Sequence, residues 1–197
     1  DRQRLINAKR DQKPEPKDIV SRILKKSKQL LTKQEITSQH RATGEQSKLY
    51  ISPADETKDI ASNSVSLVVT SPPFLDIVDY AGDNWLRCWF NGIDEKSVKI
   101  SAFKKPEIWA EYMGKVLQEL ERILKPGGYI AFEVGEVRKG KVLLEEWVIK
   151  AAKQTNLEVC GVMIHQQEFT KTANCWGVSN QSKGTNTQRI TVLKKRD

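Results

Sequence analysis

The chain has 197 residues, 38% of them apolar and 29% charged, which suits one domain with a sizeable core and is short for two. It has no run near the roughly 18–20 apolar residues that span a bilayer, and its opening DRQRLINAKR has no signal-peptide core, so a soluble, cytoplasmic chain without a membrane role is expected. The net charge is +8, with 13 Lys and Arg against 6 Asp and Glu in residues 1–50 and 20 against 19 beyond them; a basic flank on a near-neutral body suits a polyanionic partner, since each neutralised phosphate releases counterions.

Taken in chain order, residues 1–16 are polar, contain Pro14 and Pro16, and read as an arm. Asp18 to Gln34 predicts an amphipathic helix with Ile19, Val20, Ile23, Leu24, Leu30 and Leu31 on one stripe and lysines opposite. His40–Lys48 is polar and breaks that pattern. Lys48–Ser52 (KLYIS) reads as a short strand. Val65–Thr70 (VSLVVT) is a continuous apolar run of the kind buried on both sheet faces. Pro106 opens a helix through Leu124, its inner face marked by Ile108, Trp109, Tyr112, Met113, Val116, Leu117, Leu120, Ile123 and Leu124, and Lys125-Pro-Gly-Gly128 stops it. Tyr129–Val134 is then a strand, Val142–Lys153 a helix, and Leu157–His165 and Arg189–Lys194 two further strands flanking a polar loop, Thr170–Gln188. This order implies an α/β fold with a mostly parallel sheet and an antiparallel edge. It divides the chain into a basic helical segment, 1–46, and a catalytic domain, 47–197.

The chemistry concentrates where Thr70-Ser-Pro-Pro-Phe74 follows the apolar strand, because open α/β sheets bind ligands outside the carboxyl ends of their strands. Pro72 and Pro73 fix φ and remove two N–H donors, leaving the carbonyls of Ser71 and Pro72 on a stiff path as acceptors. The Ser71 hydroxyl adds another, and Phe74 offers an aromatic face. Such a set suits a planar base bearing an exocyclic NH2, whose two hydrogens find two acceptors while the ring, turned out of its helix, stacks on Phe74.

The stretch NSVSLVVTSPPF resembles the catalytic motif of the amino-methyltransferases of DNA, in which Asp, Asn or Ser precedes Pro-Pro and Tyr or Phe. The Ser form is associated with cytosine N4 and the Asp or Asn form with adenine N6. The resemblance implies a Rossmann-like fold over residues 48–197, a DNA substrate, S-adenosyl-L-methionine as methyl donor, and the restriction–modification setting of the family. Ser71, Pro72, Pro73 and Phe74 would be catalytic. KLYISPADETKDI resembles the segment whose acidic residue contacts the cofactor, making Asp55 the candidate with Glu56 behind it. Thr70, Ser71 and Glu133 are further cofactor candidates, a buried salt bridge being the alternative for Glu133. RILKPGGYIAFEVGE resembles the helix, turn and strand that follow the motif. The family's glycine-rich cofactor loop has no counterpart here, which implies a second chain or further segment that carries it, or a non-catalytic nucleic-acid-binding subunit.

Downstream, Tyr80, Asn84 and Arg87 are candidate DNA contacts in a lid that includes Asp79 and Trp85; the alternative is a helix packing Trp85, Trp89 and Phe90 into the core. Lys183, Asn186 and Arg189 are the candidates in the last loop, two for phosphates and Asn186 for a base edge. His165 reads as structural. Cys88, Cys160 and Cys175 fit neither a disulfide framework nor a zinc site, and no metal motif is present.

Overall fold

A computed structural model describes residues 2–13, 18–31, 38–75, 79–98, 100–101, 103–137, 140–166 and 187–197. Residues 1–50 and 51–197 form separate units. In the first, Arg2–Lys9 is helix α1, where the sequence suggested an arm. Helix α2 (Ile19–Leu31) lies within its expected span and starts at Asp18, whose carboxylate accepts the Ser21 N–H at 3.2 Å and so satisfies one of the free donors of the first turn. Its six apolar side chains are all more than half exposed. Helix α3 (Ser38–Gln46) corrects the expectation of a break at His40–Lys48: SQHRATGEQ lacks an apolar stripe, yet Gln, Arg, Ala and Glu are good helix formers. Lys48–Ser52 is not a strand. Leu49 and Ile51 are fully exposed, and alternation without a neighbouring strand has nothing to pair with.

The second unit is built on a sheet ordered β1-β2-β5-β4, with β3 paired to β2, where β1 is Val65–Thr70, β2 Leu124–Val137, β3 Val142–Leu143, β4 Leu157–Gln166 and β5 Thr187–Lys195. The α/β class and the parallel pairing of the catalytic strand with the next one hold, Val69 lying opposite Ala131 and Thr70 opposite Phe132. The balance of directions differs: β1–β2 is the one parallel pair among the described strands, and β2–β3, β2–β5 and β4–β5 are antiparallel. The last two strands pair with each other as their succession suggests. What the succession leaves open is that β5 enters between β2 and β4, opposing both.

Helix α5 (Pro106–Ile123) begins on Pro106 at its first turn and turns Trp109, Met113, Val116, Leu117, Leu120 and Ile123 inward. It packs on α6 (Leu144–Ala152), and both meet the sheet. Trp109, Leu117, Ile130, Phe132, Val134, Leu144, Val148 and Leu193 are fully buried there, and each large apolar side chain removed from water stabilises the fold by about 1.5–3 kcal/mol. Ile108, expected in this face, is half exposed.

Between α5 and the paired part of β2, Gly127 takes φ +73°. A Cβ on Gly128 would lie 2.9 Å from the Lys125 carbonyl and 3.2 Å from that of Ser66, so the close approach to β1 requires glycine. The β1 run is buried on one face rather than two. Among the described strands it lies at one end of the sheet, and Leu67 and Val69 are 57% and 73% exposed while Val68 packs on the core.

Candidate active site

Thr70-Ser-Pro-Pro73 leaves the carboxyl end of β1 at the wall of a cavity of about 740 Å3. The other walls come from Ile51–Ala54, from Tyr112, Met113 and Val116 of α5, from Phe132 of β2, and from Ile100 and Ser101. The volume lies in the range of small-molecule sites. Hydroxyls of Ser52, Thr70, Ser71, Ser101 and Tyr112 are interspersed with apolar walls, a combination that suits a ligand with both a flat ring system and polar ends.

The loop that brings Ile51–Ala54 to this cavity is fastened to α5 at two points. The Tyr112 hydroxyl donates to Asp55 Oδ1 at 2.9 Å. Ser101's hydrogen bond favours the Tyr112 phenolate, but burial and the Asp55 charge outweigh it and push the phenol above its ordinary value, so it stays a donor. About two turns along the helix, Glu119 Oε1 accepts from the Thr57 amide at 2.8 Å and its hydroxyl at 2.5 Å. Arg122 pairs with Glu119 at 2.7 Å and donates to the carbonyls of Thr57 and Ile60, both at 3.0 Å.

Arg122 first, then Thr57, holds the Glu119 carboxyl down to about 2 from its usual 4.5, against the opposing effect of burial. A carboxyl depressed on folding contributes stability that is present above its unfolded value and is lost as the pH falls toward its folded one. Wild type is therefore expected to lose stability relative to Glu119→Gln between pH 5 and about 2.5 in urea titrations, the variant being the weaker at pH 6 and the gap narrowing on acidification.

Of the residues expected in the site, Thr70, Ser71, Pro72 and Pro73 line the cavity together; Asp55 does not line it but follows Ala54, which does, and is held by Tyr112 of the cavity wall. Phe74 does not line it. Its ring packs on the core, where partial burial stabilises it more than exposure would. Glu133 is half-buried and follows Phe132 on an alternating strand, which places it on the opposite sheet face from the cavity. Glu56 forms an exposed ion pair with Lys58 at 2.5 Å.

Tyr80, Asn84 and Arg87 come together elsewhere, on helix α4 (Tyr80–Phe90), in the wall of a second cavity of about 330 Å3 that shares only Ile100 with the first. Arg87 donates to Asn84 Oδ1 at 2.6 Å and Asn84 to the Tyr80 carbonyl at 2.8 Å. Asp79 is the N-cap of this helix, accepting from Gly82 N at 3.0 Å. Trp85, Trp89 and Phe90 are 55–66% exposed and so do not pack into the core.

Arg189 is turned inward. Its guanidinium pairs with the buried Glu145 of α6, which places it in the interior rather than on a phosphate. Lys183 and Asn186 lie outside the described residues. His165 Nδ1 sits 3.1 Å from Gln188 Oε1 on the neighbouring strand.

Four side chains carry roles that the sequence pattern does not announce: Tyr112 and the Glu119–Arg122 pair, which hold the Asp55 loop, and Trp109. The fully buried Trp109 Nε1 donates to the Pro73 carbonyl at 2.9 Å. A signal for it exists. A tryptophan on the inner face of a helix carries a donor that needs an acceptor, and the Pro-Pro segment supplies carbonyls with no competing amides.

Among the described residues no helix is long and apolar enough to cross a membrane, and no group of three or more His, Cys, Asp or Glu is placed to hold a metal ion.

The DNA methylase family pattern for N6 and N4 enzymes matches residues 65–194. No curated protein matches the chain. Among solved structures, a DNA modification methylase from Thermus thermophilus complexed with S-adenosyl-L-methionine is similar over 73% of this chain and 51% of that one, at 20% identity and a TM-score of 0.45. The cytosine-N4-specific PvuII DNA methyltransferase is similar over 75% of this chain and 48% of its own, at 13% identity and a TM-score of 0.47. The chain thus spans about half the length of these two proteins.

Proposed function

We propose, from the premise that this chain belongs to the N6/N4 DNA methylase family, that it carries the base-gripping half of a site transferring a methyl group from S-adenosyl-L-methionine to the exocyclic amino group of a flipped DNA base, cytosine N4 in preference to adenine N6. The observation that carries this reading is the position of Ser71-Pro72 on the wall of the 740 Å3 cavity at the carboxyl end of β1. The preference for cytosine rests on Ser71 as the first residue of the motif.

The cavity's own residues fit the donor. Ile51, Met113, Val116 and Phe132 are apolar walls for a flat ring, while Ser52, Thr70 and Tyr112 bring hydroxyls. Asp55, steadied by Tyr112, supplies a carboxylate at the rim for a ribose or an adenine amino group. The bound donor contributes an electrophilic methyl on a sulfonium.

The chain's residues do the rest. Ser71 Oγ and the Pro72 carbonyl accept the two amino hydrogens, which orients the nitrogen lone pair and increases its electron density. Pro72 and Pro73 keep both acceptors in place by fixing φ. No covalent bond to the protein forms, so the rate gain comes from positioning and exclusion of water. The glycine-rich loop that would complete the donor site belongs, in this reading, to a further segment or a second chain. The place of β1 at the end of the sheet among the described strands, with Leu67 and Val69 exposed on it, supports that placement.

The test is product analysis. DNA methylated with deuterated-methyl donor and digested to nucleosides is expected to give labelled N4-methyl-2′-deoxycytidine; labelled N6-methyl-2′-deoxyadenosine would move the substrate to adenine, and no label with every segment of the enzyme present would reject transfer. A second expectation concerns the rim: Asp55→Ala is expected to weaken donor binding about tenfold, the cost of one charge-assisted hydrogen bond, with the fold unchanged in circular dichroism.

A further inference from the structure

We propose that Trp109 is a positioning residue that clamps the catalytic loop, so that the Ser71–Pro72 grip is rigid before any ligand arrives; the inference rests on the reading of this loop as the base grip. The geometry starts at the loop's two ends. On the upstream side Thr70 is fixed by its pairing with Phe132 across β1 and β2. On the downstream side three contacts follow within three residues: the Trp109 indole donates to the Pro73 carbonyl at 2.9 Å, Phe74 packs on the core, and Leu75 is fully buried.

Only Ser71 and Pro72 lie between these anchors. Their freedom is small, because Pro72 and Pro73 fix φ. Yet the two prolines also have no N–H with which the loop could tie itself to the protein, so a clamp at this point has to be a donor from elsewhere acting on a carbonyl.

Trp109 meets that need in a way few side chains could. The indole is a donor and not an acceptor, so it cannot compete for the substrate's amino hydrogens. Its ring is locked by full burial among the α5 and sheet side chains. If the loop moved as a lid, the indole N–H would be left buried without an acceptor, which opposes the movement. By occupying the Pro73 carbonyl, Trp109 also leaves those of Ser71 and Pro72 as the loop's backbone acceptors for the base.

The clamp is tested with Trp109→Phe, which keeps an aromatic ring and removes the donor, against Val148→Ala, a core truncation on α6 away from the loop. In a transfer assay of the complete enzyme, Trp109→Phe is expected to lower kcat about 100-fold, as a displaced grip should, with the KM for the methyl donor little changed. Val148→Ala is expected to lower thermal stability at least as far while keeping kcat. A kcat loss shared equally by both variants, or none in Trp109→Phe, overturns the proposal.

Two readings by nuclear magnetic resonance decide it without catalysis and without reliance on the variant's folding in full. In the wild-type chain the Trp109 indole N–H should exchange with solvent far more slowly than those of the exposed Trp85 and Trp89, and the Ser71 amide should shift in Trp109→Phe but not in Val148→Ala. Exchange as fast as Trp85 would overturn the clamp. Absence of transfer in the wild-type enzyme would instead reject the base-grip reading and leave these two measurements standing.

Discussion

Ser71→Ala is expected to lower methyl transfer by about 100- to 1000-fold, the cost typical of deleting one preorganised hydrogen-bonding group that acts on the reacting atom. Ser71 is exposed and lines the cavity without supporting the core, so stability and donor binding should stay at wild-type levels. The loss should fall on kcat, because the hydroxyl orients the amino group at the moment of attack more than it holds the base. Steady-state assays with both substrates varied separate the outcomes: a loss confined to the KM for DNA would assign Ser71 to ground-state binding, and undiminished turnover would remove it from the mechanism.

The largest stability effect is expected at the Glu145–Arg189 pair. Glu145 is 5% exposed, and its Oε2 has no hydrogen-bond partner among the described residues. The carboxylate therefore relies on the Arg189 guanidinium, which also donates from Nε to the Thr187 hydroxyl at 2.9 Å. Arg189→Ala leaves a buried charge uncompensated and is expected to cost about 3–5 kcal/mol, measured as a shift of the urea midpoint. Replacing both partners, with Glu145→Leu and Arg189→Met, should cost much less, because a matched apolar pair restores packing without desolvating a charge. If the double variant were as unstable as the single one, the pair would be contributing through geometry rather than through charge neutralisation.

The same two residues show where sequence reasoning stops. Arg189 reads as a phosphate contact because it ends a polar, cationic loop; its partner Glu145 is 44 positions away, and nothing in the local pattern announces it. Phe74 reads as a stacking platform from its place after Pro-Pro, but its ring packs on the hydrophobic core, whose residues the motif does not contain. Tyr112 reaches Asp55 across 57 residues and Trp109 reaches Pro73 across 36.

What is legible is local or periodic. The apolar run of β1 ending in Ser-Pro-Pro, the inner face of α5, and the glycine turn into β2 each carry their own cause within a few residues. The chain order of strands implies the β4–β5 pairing but not the insertion of β5 beside β2, since the register of a returning strand depends on which neighbour it buries more surface against.

The central claim, that the cavity beside Ser71 is where donor and base meet, is tested most directly by titrating S-adenosyl-L-methionine into the isotopically labelled chain and mapping the amide shifts. The account predicts perturbations confined to Ile51–Asp55, Thr70–Ser71, Tyr112–Val116 and Phe132, weak in affinity if the glycine-rich loop lies elsewhere but local in position. Perturbations centred instead on the α4 cavity around Asn84 and Arg87, or none at millimolar donor with the completing segment present, would contradict it.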